Sequence, residues 1–173
     1  MYLYISVVFA LFLTIAGFLA FMRSGKKQEN VIFFLLCITS SIWTLVYSLI
    51  EAPDSIATVD LLNKIAYAVG MFVLYFAVAF TYYYPKRLGT KSLRIFGVFT
   101  IVMFALSFSS LTAGQVTRVD SEYVFGYGPL IVAYAGTMFY GMILIAKNFI
   151  ETRKSIGEKQ KNSTKLVLIG YVG

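Results

Sequence analysis

The sequence predicts an all-α fold, a polytopic bundle of transmembrane helices, on three observations. Apolar residues make up 59% of the 173 positions and charged residues 13%, against about 25% charged in soluble domains. The apolar residues gather into long unbroken runs, and the basic residues fall in short stretches between them. A mean hydropathy of +0.78 excludes an ordinary soluble domain. A strand-built barrel would instead show short alternating segments with a polar inner face.

A helical crossing needs roughly 20 apolar residues, because the hydrocarbon core is about 30 Å thick and a helix rises about 1.5 Å per residue. Five runs qualify, at about residues 2–22, 31–50, 61–84, 95–112 and 130–150. Leu166 opens a sixth run, LVLIGYVG, which stops after eight residues at Gly173. The chain is therefore expected to end inside a helix and to be a piece of a longer protein, with residues 1–173 as one transmembrane domain. The tract ETRKSIGEKQKNSTK reads as a solvated connector that extends the fifth helix until Gly157 interrupts it.

Charge sets the expected orientation. Thirteen of the 15 basic residues lie on one side: Arg23, Lys26 and Lys27; Lys86, Arg87, Lys91 and Arg94; and Lys147, Arg153, Lys154, Lys159, Lys161 and Lys165. Only Lys64 and Arg118 fall on the other. Basic loops are retained in the cytosol during insertion, so the N-terminus is expected outside the cell membrane. The first basic residue follows the first apolar run, unlike a secretory signal peptide. The same bias accounts for the +7 formal charge without invoking nucleic acid.

The runs hold few groups capable of chemistry. With no histidine and one cysteine, most metal, zinc-hydrolase and disulfide readings fall away. Cys37 sits among Leu and Ile, a packing environment that suppresses thiol reactivity. Lys64, about one turn into the third run, is expected to snorkel toward the outer headgroups. No catalytic constellation and no cofactor site are expected. Small residues at four-residue spacing, Ser40, Thr44 and Ser48, Ala16 and Ala20, and Ala66 and Gly70, favour close helix contact.

The candidate ligand-binding residues are Tyr4, Trp43, Tyr47, Tyr67 and Tyr134. All fall in the expected outer half of their helices, where rings from four helices can meet at one depth and take a small amphipathic or apolar ligand. The same residues fit an interfacial aromatic belt, the commoner reason for Tyr and Trp at such depths. The long outer loop 113–129 carries QVTRV and then EYVFGYG, which can pair as a short hairpin. Such a hairpin would lid the outer mouth of the bundle.

In layout the chain resembles the N-terminal seven-transmembrane region of bacterial sensor histidine kinases. The features that carry the resemblance are Trp43, Tyr67 with Gly70, FAVAFTYYYP, FGYGP before the fifth helix and the GEKQK connector, and it extends over essentially all 173 residues. Members often carry a proline within the third helix, whereas MFVLYFAVAF has none, which implies a straighter helix. The resemblance implies a membrane-embedded sensory input domain with a cytoplasmic output domain in cis. Seven crossings from an outside N-terminus would deliver the C-terminus to the cytosol. The expected partners are the lipid bilayer, a small ligand, that output domain and a second copy of the chain in a homodimer. The chain itself has neither a phosphate-accepting histidine nor a glycine-rich nucleotide segment, so it is not expected to be an enzyme. Two other readings stay open: a small transporter or channel for a neutral substrate, and a structural membrane subunit.

Overall fold

The computed structural model describes residues 2–24, 27–50, 55–84, 88–119 and 122–155. Within them lie five helices and one hairpin: α1 (Tyr2–Ser24), α2 (Gln28–Leu49), α3 (Ile56–Tyr83), α4 (Lys91–Ser107), β1 (Ala113–Val119), β2 (Glu122–Tyr127) and α5 (Ile131–Ser155). The sixth apolar run and Gly157 lie outside the described residues. The fifth helix does continue past its apolar run into the connector, as far as Ser155.

Four helices, α1, α2, α3 and α5, are long and apolar enough to cross a membrane. The fourth differs from its expected span of 95–112. It starts earlier, at Lys91, and stops at Ser107, giving 17 residues and about 26 Å, the short end of the spanning range. Hydroxyls end it. Ser107 Oγ donates to the Met103 carbonyl at 2.7 Å and Ser109 Oγ to the Leu106 carbonyl at 2.6 Å, so side chains take up carbonyls as the chain turns toward the hairpin. The third helix begins five residues before its expected start, because IATVD continues the helix one turn beyond the apolar run.

Helix α3 is the hub of the bundle, packing on α2, α4, α5 and β1, while α1 packs on α2. Its 28 residues span about 42 Å without interruption, more than the hydrocarbon thickness. The main core joins Leu74 and Val78 of α3 to Leu93 and Phe96 of α4 and Leu144 of α5. Large apolar side chains remain exposed on the outer faces, including Val8 and Phe12 of α1, Val98 and Ile101 of α4, and Val132 and Phe139 of α5. Lipid tails solvate such surfaces, which water would not.

Close contact between α1 and α2 uses Gly17 and Ser41, each one residue along from a small-residue stripe of the sequence. A Cβ on Gly17, not on Ala16, would lie 2.7 Å from the Cys37 Cβ, so only glycine permits this approach. Ser41, rather than Ser40, is buried: its hydroxyl reaches the Ala10 carbonyl at 2.9 Å and the Cys37 carbonyl at 2.8 Å, with Thr14 Oγ1 3.1 Å away. A one-residue step turns a helical side chain by about 100°, which moves it to another face.

Helices α3 and α5 run in the same direction and meet along a seam of residues seven apart. Tyr134 donates its hydroxyl to the Tyr67 carbonyl at 2.9 Å. A Cβ on Gly141 would lie 2.8 Å from Leu74 Cδ2. Asn148 Nδ2 donates to Thr81 Oγ1 at 2.8 Å, and Thr81 in turn donates to the Val78 carbonyl at 2.7 Å. Residues 67, 74 and 81 thus face 134, 141 and 148, the repeat that keeps two parallel helices in register over two heptads.

The hairpin forms where the sequence places it. Its strands pair antiparallel, from Val116 opposite Phe125 to Val119 opposite Glu122, with an irregularity between Ala113 and Val116. Its base is closed by Gly128 N–H to the Thr112 carbonyl (3.0 Å) and Leu130 N–H to the Leu111 carbonyl (2.7 Å). Val116 is buried with Ile50, Val59 and Ala66, which anchors β1 on α2 and α3.

Candidate functional site

The hairpin, the C-terminal end of α2 and the N-terminal ends of α3 and α5 border a half-open cavity of about 650 Å³, within the usual range for small-molecule sites. Helix α2 supplies Trp43 and Tyr47, with Ile50 just past its end, and α3 supplies Asn63, Ala66 and Tyr67. Tyr134 comes from α5, and Glu122, Tyr123, Phe125 and Tyr127 come from β2.

Local geometry explains each contribution. Trp43 and Tyr47 stand four residues apart on one face of α2, their ring centroids 5.8 Å apart. Tyr67 and Tyr134 meet edge to face at 5.1 Å, a favoured aromatic geometry, and the Tyr134 hydroxyl bond to α3 fixes that ring. Tyr123, Phe125 and Tyr127 alternate along β2, so the two-residue period turns all three rings to the cavity. Arg118, paired across the hairpin with Tyr123, lies 5.6 Å from the centre of that ring on the strand opposite.

Gly70 completes the packing. A Cβ there would sit 3.3 Å from both Trp43 Nε1 and the Tyr134 hydroxyl, so the missing side chain lets α2 and α5 bring these two groups together over α3.

Of the five aromatic residues singled out from the sequence, Trp43, Tyr47, Tyr67 and Tyr134 line this cavity. Tyr4 does not. It is 78% exposed on α1, which packs on α2 and contributes nothing to the lining. Lys64 pairs with Asp60 one turn nearer the start of α3, Nζ to Oδ2 at 2.6 Å, so its stem reaches toward the hairpin end of the bundle but into an ion pair rather than free solvent.

Asn63 and the rings of β2 were not singled out from the sequence. Asn63 is 7% exposed, and its Nδ2 is buried with no hydrogen-bond partner among the described residues. An asparagine beside Lys64 at the start of an apolar run was the available signal. For β2 it was the alternation of rings in EYVFGY.

Among the described residues the cavity wall holds one carboxylate, Glu122, and neither lysine nor arginine. Seven of its eleven residues are aromatic, which suits binding of an apolar body rather than bond-making chemistry.

Spanning helices around a hairpin-covered aromatic cavity define a multi-pass membrane protein. Residues 2–172 match the family model of the N-terminal 7TM region of histidine kinase, and the chain belongs to that family, a sensor input region of histidine kinases. No curated protein and no solved structure gives a significant match.

Proposed function

We propose that this chain is the sensory input domain of a cell-membrane receptor. On this reading its N-terminus faces outward and its cavity takes a small apolar or amphipathic ligand from the exterior or the outer leaflet. Its helices then pass occupancy to a cytoplasmic output module of histidine-kinase type. The observation that carries the proposal is the position of the cavity: it lies under the hairpin, at the end of the bundle opposite Arg23, Lys27, Lys91, Arg94, Arg153 and Lys154. Positive residues mark the cytosolic side, so the cavity faces outward.

A ligand moves the bundle only if it binds one arrangement more tightly than another. An occupant here would touch α2, α3, α5 and β2 together, so any change in their relative positions changes its contacts. The test is phosphorylation of the full-length protein in cells across growth conditions. Trp43→Ala and Tyr67→Ala are compared with Val132→Ala, a control at a position 76% exposed on the bundle's outer face. Loss of the conditional response in the two cavity variants, with the control unchanged, is expected. Cavity variants that track the control in every condition would refute the proposal.

A further inference from the structure

Resting on the reading of this cavity as a ligand site, we infer that its ligand is an uncharged molecule carrying a hydrogen-bond acceptor, a carbonyl or an ether, that seats on Asn63. Three features of the cavity point there. The Asn63 Nδ2 donor is buried in the wall and unpartnered among the described residues, and burying a donor without a partner is costly enough that such groups are rare. A ligand acceptor removes that cost on binding. The other helix-borne walls, Trp43, Tyr67, Tyr134, Ile50 and Ala66, bring no charge, so an ion seated among them would lose its hydration without a counter-charge. Glu122 lies at the exposed edge on β2, where it disfavours anions at the mouth.

Among the described residues the neighbouring charges do not change this. Lys64 is committed to Asp60 through Oδ2, and Arg118 lies over Tyr123 on the hairpin. Asp60 Oδ1, one turn away on α3, is also buried without a hydrogen-bond partner among the described residues, and an interaction between it and Asn63 is the competing explanation for the buried amide. Asn63→Leu separates the two. If the amide awaits a ligand, the leucine variant melts at or above the wild-type temperature, because removing an unsatisfied buried donor leaves stability level or raises it. If the amide serves the fold, the variant melts lower.

Trp43 is the chain's one tryptophan and stands in the cavity wall, so its emission reports occupancy. The experiment titrates the full chain in lipid nanodiscs with four chain-matched probes: octan-2-one, octane, octanoate and octyltrimethylammonium. Each titration is corrected for partition into protein-free nanodiscs. Octan-2-one is expected to give a saturable change and to bind tighter than octane by roughly two- to tenfold, the worth of one net hydrogen bond. That preference is expected to vanish in Asn63→Leu while octane binding is kept. An equal response to the ketone in both proteins, a tighter response to either ionic probe, no saturable ketone response, or a lower melting temperature of Asn63→Leu overturns the inference. The ketone-over-octane preference in the wild-type protein is read independently of the variant's folding. Should the ketone bind through Asn63 while phosphorylation ignores Trp43→Ala and Tyr67→Ala, the sensory reading fails and the ligand chemistry stands. The reverse pattern spares the sensory reading alone.

Discussion

Gly70 offers a substitution series in which stability and site geometry separate. A methyl at this position gains about 0.5–1 kcal/mol of helix propensity over glycine. Against that stand two contacts at 3.3 Å, to Trp43 Nε1 and to the Tyr134 hydroxyl, each a few tenths of an ångström too tight. The two neighbours differ in their freedom to yield. Tyr134 is 8% exposed and tied to the Tyr67 carbonyl, whereas Trp43 is 40% exposed on the cavity side of α2. The indole should therefore give way, so Gly70→Ala is expected to change unfolding free energy by less than about 0.5 kcal/mol while displacing Trp43, because propensity and crowding nearly cancel.

Gly70→Leu extends the same vector by three more carbons into the gap between Trp43 and Tyr134. Overpacking of this kind costs about 1–3 kcal/mol, and here it also fills cavity space. Unfolding in mixed detergent micelles measures the first effect; Trp43 emission and octan-2-one titration in nanodiscs measure the second. A graded emission change from Ala to Leu, with ketone binding weakened in Ala and abolished in Leu, is expected. Wild-type emission and wild-type binding in Gly70→Leu would refute the placement of Gly70 between the two residues.

Two further outcomes are expected. Asn148→Ala and Thr81→Ala should couple in a double-mutant cycle by about 0.6 kcal/mol, the average for an interhelical hydrogen bond in a membrane, with an upper limit of about 1.7; a coupling indistinguishable from zero by reversible unfolding would remove this bond from the seam. Cysteine at Val124, exposed on β2, should react with an impermeant maleimide in intact cells, and cysteine at Lys91 only after permeabilisation. Buried Cys37 should stay silent in both, and the reverse labelling pattern would invert the proposed orientation.

The bundle was legible in the sequence because solvation by lipid demands long apolar runs, and the hairpin because EYVFGY alternates with a period of two. Trp43, Tyr67, Gly70 and FGYGP, four of the six features that carry the family resemblance, collect around the cavity or build its roof. The choice of helix face was not legible. In a soluble helix, polar residues mark the outer side, but α1, α2 and α5 are apolar on nearly all sides, so lipid-facing and protein-facing positions look alike. Ser41 could not be told from Ser40 on composition, nor Gly17 from Ala16. Tyr4 was placed with the other aromatics on depth alone, and depth does not say which way a ring points.

The seam between α3 and α5 bears on how the two ends of the bundle communicate. Its upper hydrogen bond involves two residues of the cavity wall, Tyr67 and Tyr134, and its lower one joins Thr81 to Asn148 fourteen residues further along both helices, about 21 Å away. Between them Leu74 lies over Gly141, where no side chain intervenes. Both polar contacts are directional, so sliding one helix past the other by even a residue rise of about 1.5 Å would break each of them at once. Rotation or splaying about the seam strains the two bonds unequally, since the cavity end is bordered by the hairpin and the other by the α3–α4–α5 core. A ligand that spread Tyr67 from Tyr134 would therefore be resisted least by a pivot near Leu74 and Gly141, where the contact is apolar and carries no directional bond.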